Sequence, residues 1–358
     1  MKKIILCVET NSAGGAERVI ANLANFFSKQ GHNVIVVNGD SDSNFYQISH
    51  TVKVIKLGFD RLEKGRLSKA VLHYKELKKI FIREKPDAIV AFLFNMEAPA
   101  ILAGIVTKTD VYTSVRNSAN VYPKSVRIFR RLFYPFISGV IFQSENVKNC
   151  IDFKRVKNKC VIMNPLANDF ECDVSIISKS ARKKWIITAG RLTPQKNHKI
   201  LIQSFADVCN DFPEYELHIF GEGILREELT NYIKQLNMEQ KVFLEGELNN
   251  AILINRDAYG FVLSSDYEGF PNALVEAMAV GIPVISTDFD SGVASELIDD
   301  GVNGYICNVG DYRAMSNKLR NMLELSEEDY TNMVKNEIQI ASLLSNDSIG
   351  KQWEAFVL

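Results

Sequence analysis

The strongest constraint on the fold is an alternation of apolar segments with amphipathic segments, which runs through the chain twice. The first series begins with an apolar strand pattern at residues 2–9, continues with the helical pattern "GGAERVIANLANFFSKQG" (14–31) and returns to a strand pattern in "HNVIVVNG" (32–39). The second series has strand patterns at 183–192, 215–223 and 259–265. Strand–helix alternation with short loops favours parallel, doubly wound sheets. We therefore predict an α/β protein with two Rossmann-like domains whose sheets face a central cleft.

The length of the chain also indicates two domains. Its 358 residues, 46% of them hydrophobic, exceed what one hydrophobic core usually holds. Between residues 163 and 184 the periodicity lapses, and Asn, Asp and Ser accumulate. We place the boundary near residue 170, giving an N-terminal domain over 1–170 and a C-terminal domain over 171–340. A last helix within 341–358 is expected to pack back on the N-terminal domain.

Charge is distributed unevenly along the chain. Residues 1–168 hold 26 Lys and Arg against 13 Asp and Glu, whereas residues 169–358 hold 16 against 30. This asymmetry predicts that the N-terminal half meets an anionic surface or ligand. Nucleic acid is disfavoured as that partner, because no DNA- or RNA-binding motif is present and the acidic half would oppose wrapping.

Cysteine usage and hydropathy exclude several other classes. The six cysteines form no CxxC pair and no Cys/His cluster, so neither a zinc site nor a disulfide framework is indicated. The apolar run near the N-terminus is about five residues long, shorter than the core of a signal peptide. No run of about 18 apolar residues occurs, so no membrane span is predicted. We expect a cytoplasmic protein.

One segment, "SSDYEGFPNALVEAMAVGIPVIST" (264–287), carries two carboxylates around a predicted helix start. A charge in so apolar a stretch as that around Glu276 requires a partner or a ligand. Pro271 is predicted as the first helical residue. Three backbone N–H groups would then lack helical partners and form a phosphate site, those of Asn272, Ala273 and Leu274. Glu276 would lie about 7 Å along the helix beside a ribose, and Glu268 would face a sugar.

These residues resemble the EX7E signature of retaining glycosyltransferase family 4, of the bacterial cell-envelope polysaccharide type. Here Glu268 and Glu276 are separated by seven residues that include Gly269, Phe270 and Pro271. Three further segments resemble family elements: "SAGGAERV" (12–19), "GRLTPQKN" (190–197) and "FGEG" (220–223). The resemblance covers nearly the whole chain and implies the GT-B fold.

The resemblance also implies roles for individual residues. Arg191 and Lys196 would bind the donor diphosphate, Glu268 the sugar hydroxyls and Glu276 the ribose. Donor contacts are further implied for a set of small or helix-start residues: Gly14, Gly15, Gly190, Gly221, Gly223, Gly246, Gly269, Phe270, Pro271, Asn272, Ala273 and Leu274.

The implied reaction is retaining transfer of a hexose or N-acetylhexosamine from a UDP-sugar. The acceptor would be a glycan or a polyprenyl-diphosphate-linked oligosaccharide bound by the N-terminal domain. No cofactor and no catalytic metal are expected; "DFD" (288–290) resembles a metal-binding motif that belongs to another glycosyltransferase architecture.

The chain departs from the family pattern at one strand end. Many relatives carry Glu-His there, whereas this chain has "TSVRNS" (113–118), which places Arg116 and Asn117 at the position of a donor-contacting histidine. Arg116 would serve as a fixed cation for a phosphate and not as a general base. The alternative is a structural ion pair.

A basic, aromatic segment in the first half indicates a membrane contact. Within residues 122–139, apolar residues alternate with four cations, Lys124, Arg127, Arg130 and Arg131. Such a helix would lie on an anionic leaflet, and the lysine-rich helix predicted over 64–85 adds to the same field. The alternative is an ordinary amphipathic helix whose apolar side is core. With the membrane interpretation, the protein would bind the inner face of the cytoplasmic membrane peripherally.

Two other functions remain open on the sequence. The missing histidine also fits a catalytically silent protein that binds sugar nucleotides within an assembly complex, and the fold also serves phosphorylase-like enzymes. A nicotinamide-dependent enzyme is disfavoured, because Arg226 stands where the third glycine of GxGxxG would be.

Overall fold

The computed structural model describes residues 1–9, 15–39, 46–59, 65–117, 122–150, 153–171 and 175–358. The chain forms two compact units. Unit 1 comprises Met1–Pro165 together with Leu344–Leu358, and unit 2 comprises Leu166–Leu343. Among the described residues, no helix combines the length and apolar character needed to cross a bilayer.

Unit 1 is built on a seven-stranded sheet. Its strands and helices are, in chain order, β1 (Lys3–Val8), α1 (Gly15–Lys29), β2 (Asn33–Asn38), β3 (Lys53–Lys56), α2 (Arg66–Glu84), β4 (Ala88–Phe92), α3 (Phe94–Thr107), β5 (Asp110–Val115), α4 (Lys124–Phe133), β6 (Gly139–Phe142), α5 (Glu145–Lys148), β7 (Lys159–Val161) and α14 (Asn346–Val357). The spatial order is β3-β2-β1-β4-β5-β6-β7, and every pairing is parallel.

The central strands of unit 1 are buried along their whole length. β4 reads "AIVAF" and β6 reads "GVIF", with no exposed position in either. Continuous apolar strands of this kind are expected when helices cover both faces of a parallel sheet. Helix α1 stops where the sequence predicts, because Gly31 takes a left-handed conformation (φ +84°) and donates to Ser28 O at 3.0 Å.

The last helix of the chain belongs to unit 1. Helix α14 packs on α1, where Gly350 lies against the ring of Phe26. Trp353 stacks on Phe92 with 5.6 Å between ring centroids, and His32 Nε2 lies 2.8 Å from Glu354 Oε1. The chain therefore returns to its first unit after completing the second.

Unit 2 repeats the same architecture with a six-stranded sheet. Its strands and helices are β8 (Lys183–Ala189), α6 (His198–Cys209), β9 (Glu216–Phe220), α7 (Arg226–Gln235), β10 (Val242–Gly246), α8 (Ala251–Ile254), β11 (Ala258–Leu263), α9 (Asn272–Ala279), β12 (Val284–Asp288), α10 (Val293–Leu297), β13 (Tyr305–Asn308), α11 (Tyr312–Glu324), α12 (Glu327–Glu337) and α13 (Gln339–Leu343). The spatial order is β10-β9-β8-β11-β12-β13, again all parallel. The predicted pair of doubly wound parallel sheets is confirmed.

Both sheets reverse their strand order once, and ligand sites are expected at these reversal points. In unit 1 the reversal lies between β1 and β4, and in unit 2 between β8 and β11. The loops that leave the two central strands diverge to opposite faces there, opening a crevice at the carboxyl ends of the strands. Ligand-binding residues are therefore expected in the segments that follow β1, β4, β8 and β11.

Candidate functional site

At the reversal point of unit 2, two segments from different strands are tied together. Segment 190–197 follows β8, and segment 264–271 follows β11. Asp266 N–H donates to Gln195 O at 2.9 Å, and Ser264 Oγ donates to Lys196 O at 2.9 Å. Asn197 Nδ2 donates to Asp266 Oδ1 at 2.7 Å. The sequence-predicted elements "GRLTPQKN" and "SSDYEGFP" therefore form one structural unit.

The same network brings together two predicted catalytic residues. Lys196 Nζ lies 2.5 Å from Glu268 Oε1, and both side chains are largely buried. Ser265 Oγ donates to Glu268 Oε1 at 2.7 Å, and Gln195 Nε2 lies 3.4 Å from Oε2. Lys196 reaches this position across Gly190, where a Cβ atom would stand 3.1 Å from Lys196 Cε. The cation and the carboxylate therefore neutralise each other.

A cluster of glycines joins the carboxyl ends of β8, β9 and β10. Gly221 has φ +144°, and a Cβ atom there would lie 2.1 Å from Gly190 O. Its N–H donates to Gly246 O at 2.7 Å. A Cβ atom on Gly223 would lie 2.4 Å from Leu192 O. Only glycine allows these backbones to approach so closely.

Beside this cluster lies a cavity of about 380 Å³. Its lining consists of Ala189, Gly190, Arg191, Phe220, Gly221, Glu222, Glu247, Leu248 and Ala251. Arg191 is exposed at the cavity. Glu222, also in the lining, forms an ion pair with Arg226 at 2.7 Å. The volume is within the range of small-ligand pockets, and the lining offers polar groups of both signs.

The start of α9 differs from the prediction in two details. Pro271 is the N-cap residue (φ −84°, ψ 73°) and not the first helical residue, which is Asn272. The N–H of Asn272 donates to Phe270 O at 3.0 Å, so it is not available to a ligand as predicted. The first i→i−4 bond runs from Val275 N–H to Pro271 O, which leaves the amides of Ala273 and Leu274 ahead of it.

Other residues of this segment also differ in exposure. Glu276 is partly exposed, although the residues around it in α9 are mostly buried. Gly269 is partly exposed beside Glu268, while Phe270 is buried and anchors the turn.

One unpredicted residue directly follows segment 190–197. His198 is the first residue of α6 and only 2% exposed. Burial lowers the pKa of His198 to about 4, with the backbone of Arg191 acting in the opposite direction. The imidazole is therefore neutral at pH 7, and it adds no charge beneath Arg191. A histidine directly after the "QKN" turn was the only sequence signal for it.

In unit 1, Arg116 follows β5 and is buried at 9% exposure. Its guanidinium stacks over Phe92 at 4.4 Å, and its Nη1 donates to Asn164 Oδ1. The Gln143 amide, turned so that its oxygen faces the guanidinium, accepts from Nη1 at 3.0 Å. Among the described residues, Nε and Nη2 have no hydrogen-bond partner. Within the part of the chain that the structure describes, the side of the guanidinium that binds oxyanions with two parallel bonds is therefore unpaired.

Glu17, in the first turn of α1, acts electrostatically on Arg116. Burial lowers the pKa of Arg116 to about 9, against the opposing influence of Tyr122 and Glu17. Burial likewise raises the pKa of Glu17, which is 6% exposed. Gly15 is the exposed first residue of α1. Gly14 lies outside the described residues.

The predicted basic helix is present, and one of its cations faces inward. Helix α4 covers Lys124–Phe133 and continues as a single 3₁₀ turn over Tyr134–Phe136. Arg130 is 2% exposed and binds the buried Glu97 through two bonds of 2.9 and 3.1 Å. The assignment of Arg130 to the membrane is therefore wrong, because a buried guanidinium needs a carboxylate partner and Glu97 supplies it. Lys124 and Arg131 are exposed, and Arg127 is partly exposed.

Comparison with known proteins identifies the class. HepE of Anabaena, crystallised with UDP, superposes with a TM-score of 0.78 at 20% identity over 99% of both chains. TarM of S. aureus, in a structure that contains UDP, gives 0.80 at 16% identity over 99% of both chains. The two doubly wound sheets and these likenesses define the GT-B fold of glycosyltransferases.

Family models and relatives then place the chain more closely. Residues 13–165 match the model "Glycosyltransferase Family 4", and residues 171–339 match "Glycosyl transferases group 1". Over 99% of this chain and 97% of the relative, it is 30% identical to an alpha-1,4-N-acetyl-D-galactosaminyltransferase of Campylobacter jejuni. That relative acts on GalNAc-alpha-(1->4)-GalNAc-alpha-(1->3)-diNAcBac-PP-undecaprenol. The chain belongs to glycosyltransferase family 4, and it is a glycosyltransferase.

Proposed function

We propose that the chain transfers a hexose or N-acetylhexosamine from a UDP-sugar to a glycan or a polyprenyl-diphosphate-linked acceptor during cell-envelope polysaccharide synthesis, with retention of anomeric configuration. The observation that carries the proposal is the reversal point of the unit-2 sheet. There the Lys196–Glu268 pair and the exposed Arg191 adjoin, across Gly190, a cavity of about 380 Å³.

In this proposal the nucleoside occupies the cavity, and the diphosphate lies across Gly190. The amides of Ala273 and Leu274 at the start of α9 face a phosphate, where the helix dipole favours negative charge. Glu276 binds the ribose hydroxyls. HepE holds UDP in its crystal structure, and the Campylobacter relative transfers N-acetylgalactosamine, which supports a UDP-linked donor.

Donor binding exchanges the partner of Lys196. A diphosphate offers Lys196 a more highly charged acceptor than Glu268 does, so the ammonium is drawn to the leaving group. Glu268 is then free to accept hydrogen bonds from the sugar hydroxyls, still held by Ser265 at 2.7 Å. Donor binding would therefore pair Lys196 with the diphosphate and make Glu268 available to the sugar.

The chemical step would be a front-face substitution. The acceptor hydroxyl attacks the anomeric carbon on the side from which the diphosphate leaves, and a phosphate oxygen takes the hydroxyl proton. Lys196 and Arg191 stabilise the negative charge that builds on the departing diphosphate. In unit 1, the edge of Arg116 that has no hydrogen-bond partner among the described residues binds an oxyanion with two parallel bonds.

The acceptor would be delivered from an anionic membrane surface. Ile128, Leu132 and Phe136 are 56%, 60% and 69% exposed, and they succeed one another at four-residue spacing along α4 and its terminal turn. Lys124, Arg127 and Arg131 are the neighbouring cations. An apolar stripe flanked by cations matches an interfacial helix, with each cation near the surface contributing about 1 kcal/mol.

Thermal denaturation in the presence of UDP, GDP or ADP, with EDTA throughout, tests the donor assignment. We expect UDP to raise the melting temperature, since a ligand at 100 times its Kd stabilises the native state by about 2.7 kcal/mol. Glu276→Ala should abolish most of this shift, whereas the exposed Glu239→Ala serves as a control that keeps it. A UDP shift unchanged by Glu276→Ala would contradict the ribose assignment, and no shift with any nucleotide would contradict the donor site.

A further inference from the structure

Unit 1 contains a second cavity, separate from the polar residues around Arg116. It has a volume of about 350 Å³ and lies between α4 with its terminal turn and the turn at residues 153–156. Its lining consists of Arg130, Arg131, Tyr134, Pro135, Lys154, Arg155 and Val156. Four of these seven residues are cationic, and none is acidic. A cavity of this composition is suited to an anion.

One side of the cavity is formed by a fixed arginine, and the other side carries exposed cations. Arg130 is fixed by its two bonds to Glu97, and Tyr134 donates to the same carboxylate at 2.8 Å. The guanidinium of Arg130 is also covered by the ring of Tyr122 at 4.1 Å. Glu97 balances the charge of Arg130, and the other cations of the lining are Arg131, Lys154 and Arg155. Lys154 and Arg155 are exposed and can move toward a ligand.

The position of the cavity indicates where its anion comes from. Arg131 lies between Ile128 and Leu132 in sequence, so one side of α4 faces the cavity and the adjacent side carries the exposed apolar stripe of Ile128, Leu132 and Phe136. A soluble anion would make no contact with such an apolar stripe. A lipid offers both parts at once, because its phosphate is joined to acyl chains that begin about where apolar side chains of an interfacial helix insert.

We propose that this cavity binds the phosphate of an anionic membrane lipid while the stripe of α4 inserts into the leaflet. The inference rests on the membrane contact in the proposed function and adds a head-group site to it. Apolar insertion then supplies binding to any bilayer, and the cavity supplies preference for anionic lipid. The two contributions can be removed separately.

Co-sedimentation with lipid vesicles tests the proposal on the full chain. The vesicles are phosphatidylcholine alone, or phosphatidylcholine with about one third phosphatidylglycerol. Lys154→Ala/Arg155→Ala should weaken binding to the anionic vesicles by about tenfold or more, since two cations near the surface are lost, and should leave the weak binding to phosphatidylcholine unchanged. Ile128→Ser/Leu132→Ser should weaken binding to both vesicle types.

Matched variants separate a specific site from net charge. Lys29→Ala/Lys56→Ala removes two exposed lysines elsewhere on unit 1 and should change anionic binding by no more than about twofold. Lys154→Arg/Arg155→Lys keeps the charges and should keep the binding. The proposal is overturned if the two alanine pairs weaken binding equally, which would show a diffuse electrostatic effect only.

Inorganic pyrophosphate distinguishes a lipid from a soluble ligand. If millimolar pyrophosphate binds the wild-type chain without vesicles, and Lys154→Ala/Arg155→Ala abolishes that binding while vesicle binding is unaffected, the ligand is a soluble phosphate and the lipid assignment is wrong. Failure of the UDP thermal shift would contradict the donor site and leave the vesicle result standing, so the two proposals fail separately.

Discussion

Two buried nitrogen bases, one in each unit, respond differently to the same physical effect. Burial lowers the pKa of His198 to about 4 and the pKa of Arg116 to about 9. At pH 7 the imidazole in unit 2 has therefore lost its charge, whereas the guanidinium in unit 1 has kept it. The difference arises because their ordinary pKa values lie about six units apart.

In the proposed function, this contrast corresponds to two ways of preparing a site for phosphate. In unit 2 the buried His198 is neutral. Of the nearby cations, Arg191 is exposed and Lys196 is paired with Glu268. A ligand that binds Lys196 must replace an existing partner. In unit 1 the cation is already desolvated, and one edge has no partner among the described residues. A ligand there gains an interaction without breaking one.

The largest expected effect comes from removing the paired cation of unit 2. Lys196→Met should lower kcat for sugar transfer by about 10²- to 10³-fold, because a donor aimed at developing charge is typically worth about 3 to 4 kcal/mol. It should also lower the melting temperature, since Glu268 is left unpaired with a largely buried side chain. Transfer is measured with a radiolabelled UDP-sugar and a lipid-linked acceptor.

The double variant Lys196→Met/Glu268→Gln serves as the control for that result. We expect it to recover the melting temperature, because neither partner is then left charged and unpaired, but not the rate of transfer. Recovery of transfer as well would mean that Lys196 is only the counterion of Glu268.

A smaller effect is expected from protonation of the buried, neutral His198 of unit 2. The folded-state pKa of His198 is about 4, below the value of about 6.5 in the unfolded chain, so between these pH values the unfolded state holds more protons. The stabilising contribution is complete above pH 6.5 and is lost as the pH falls toward 4. Between pH 7 and pH 5 we expect the unfolding free energy to fall by about 2 kcal/mol from this residue.

Urea unfolding at the two pH values measures this contribution. His198→Asn should remove it from the pH dependence, whereas His50→Gln, at an exposed histidine, should leave the pH dependence unchanged. An identical pH dependence in wild type and His198→Asn would show that the imidazole is not held neutral.

The smallest effect is expected when Arg116, the buried cation of unit 1, is replaced by lysine. Arg116→Lys keeps the positive charge but cannot form two parallel bonds to an oxyanion, so kcat/KM should fall by about tenfold. Arg83→Lys, at an exposed arginine on α2, should leave kcat/KM unchanged. If Arg116→Lys lowers stability and leaves kcat/KM as it was, Arg116 is a structural residue.

The fold was predictable because its signals are local. Each buried strand is a short apolar run, and each helix between strands has its own periodicity, so the alternation could be read without knowledge of any contact. The segments around "GRLTPQKN" and "EGFPNALVE" were likewise recognisable, since both follow a strand end directly. The hydrogen bond between them, from Asp266 N–H to Gln195 O, joins residues more than seventy positions apart in the chain. No local sequence pattern indicates such a bond.

The errors of prediction concern which way a side chain or amide points. Arg130 stands in a row of cations in the sequence, but a helix turns by 100° per residue and places Arg130 toward Glu97 of α3. The N–H of Asn272 was predicted to be unpaired, yet the turn at Phe270 supplies an acceptor. The pairing of Lys196 with Glu268 was not foreseen, because each was assigned only to a ligand. Neighbours distant in the chain decide the cases of Arg130 and Lys196, whereas a local turn decides that of Asn272.

Helix α14 has a consequence for how the protein is made. Because the helix belongs to unit 1 but is synthesised after all of unit 2, its contacts with Phe26 and Phe92 can form only after the rest of the chain has been made. Domains otherwise fold as units, the first one first. We therefore expect the first unit to complete its core only after Trp353 has been synthesised.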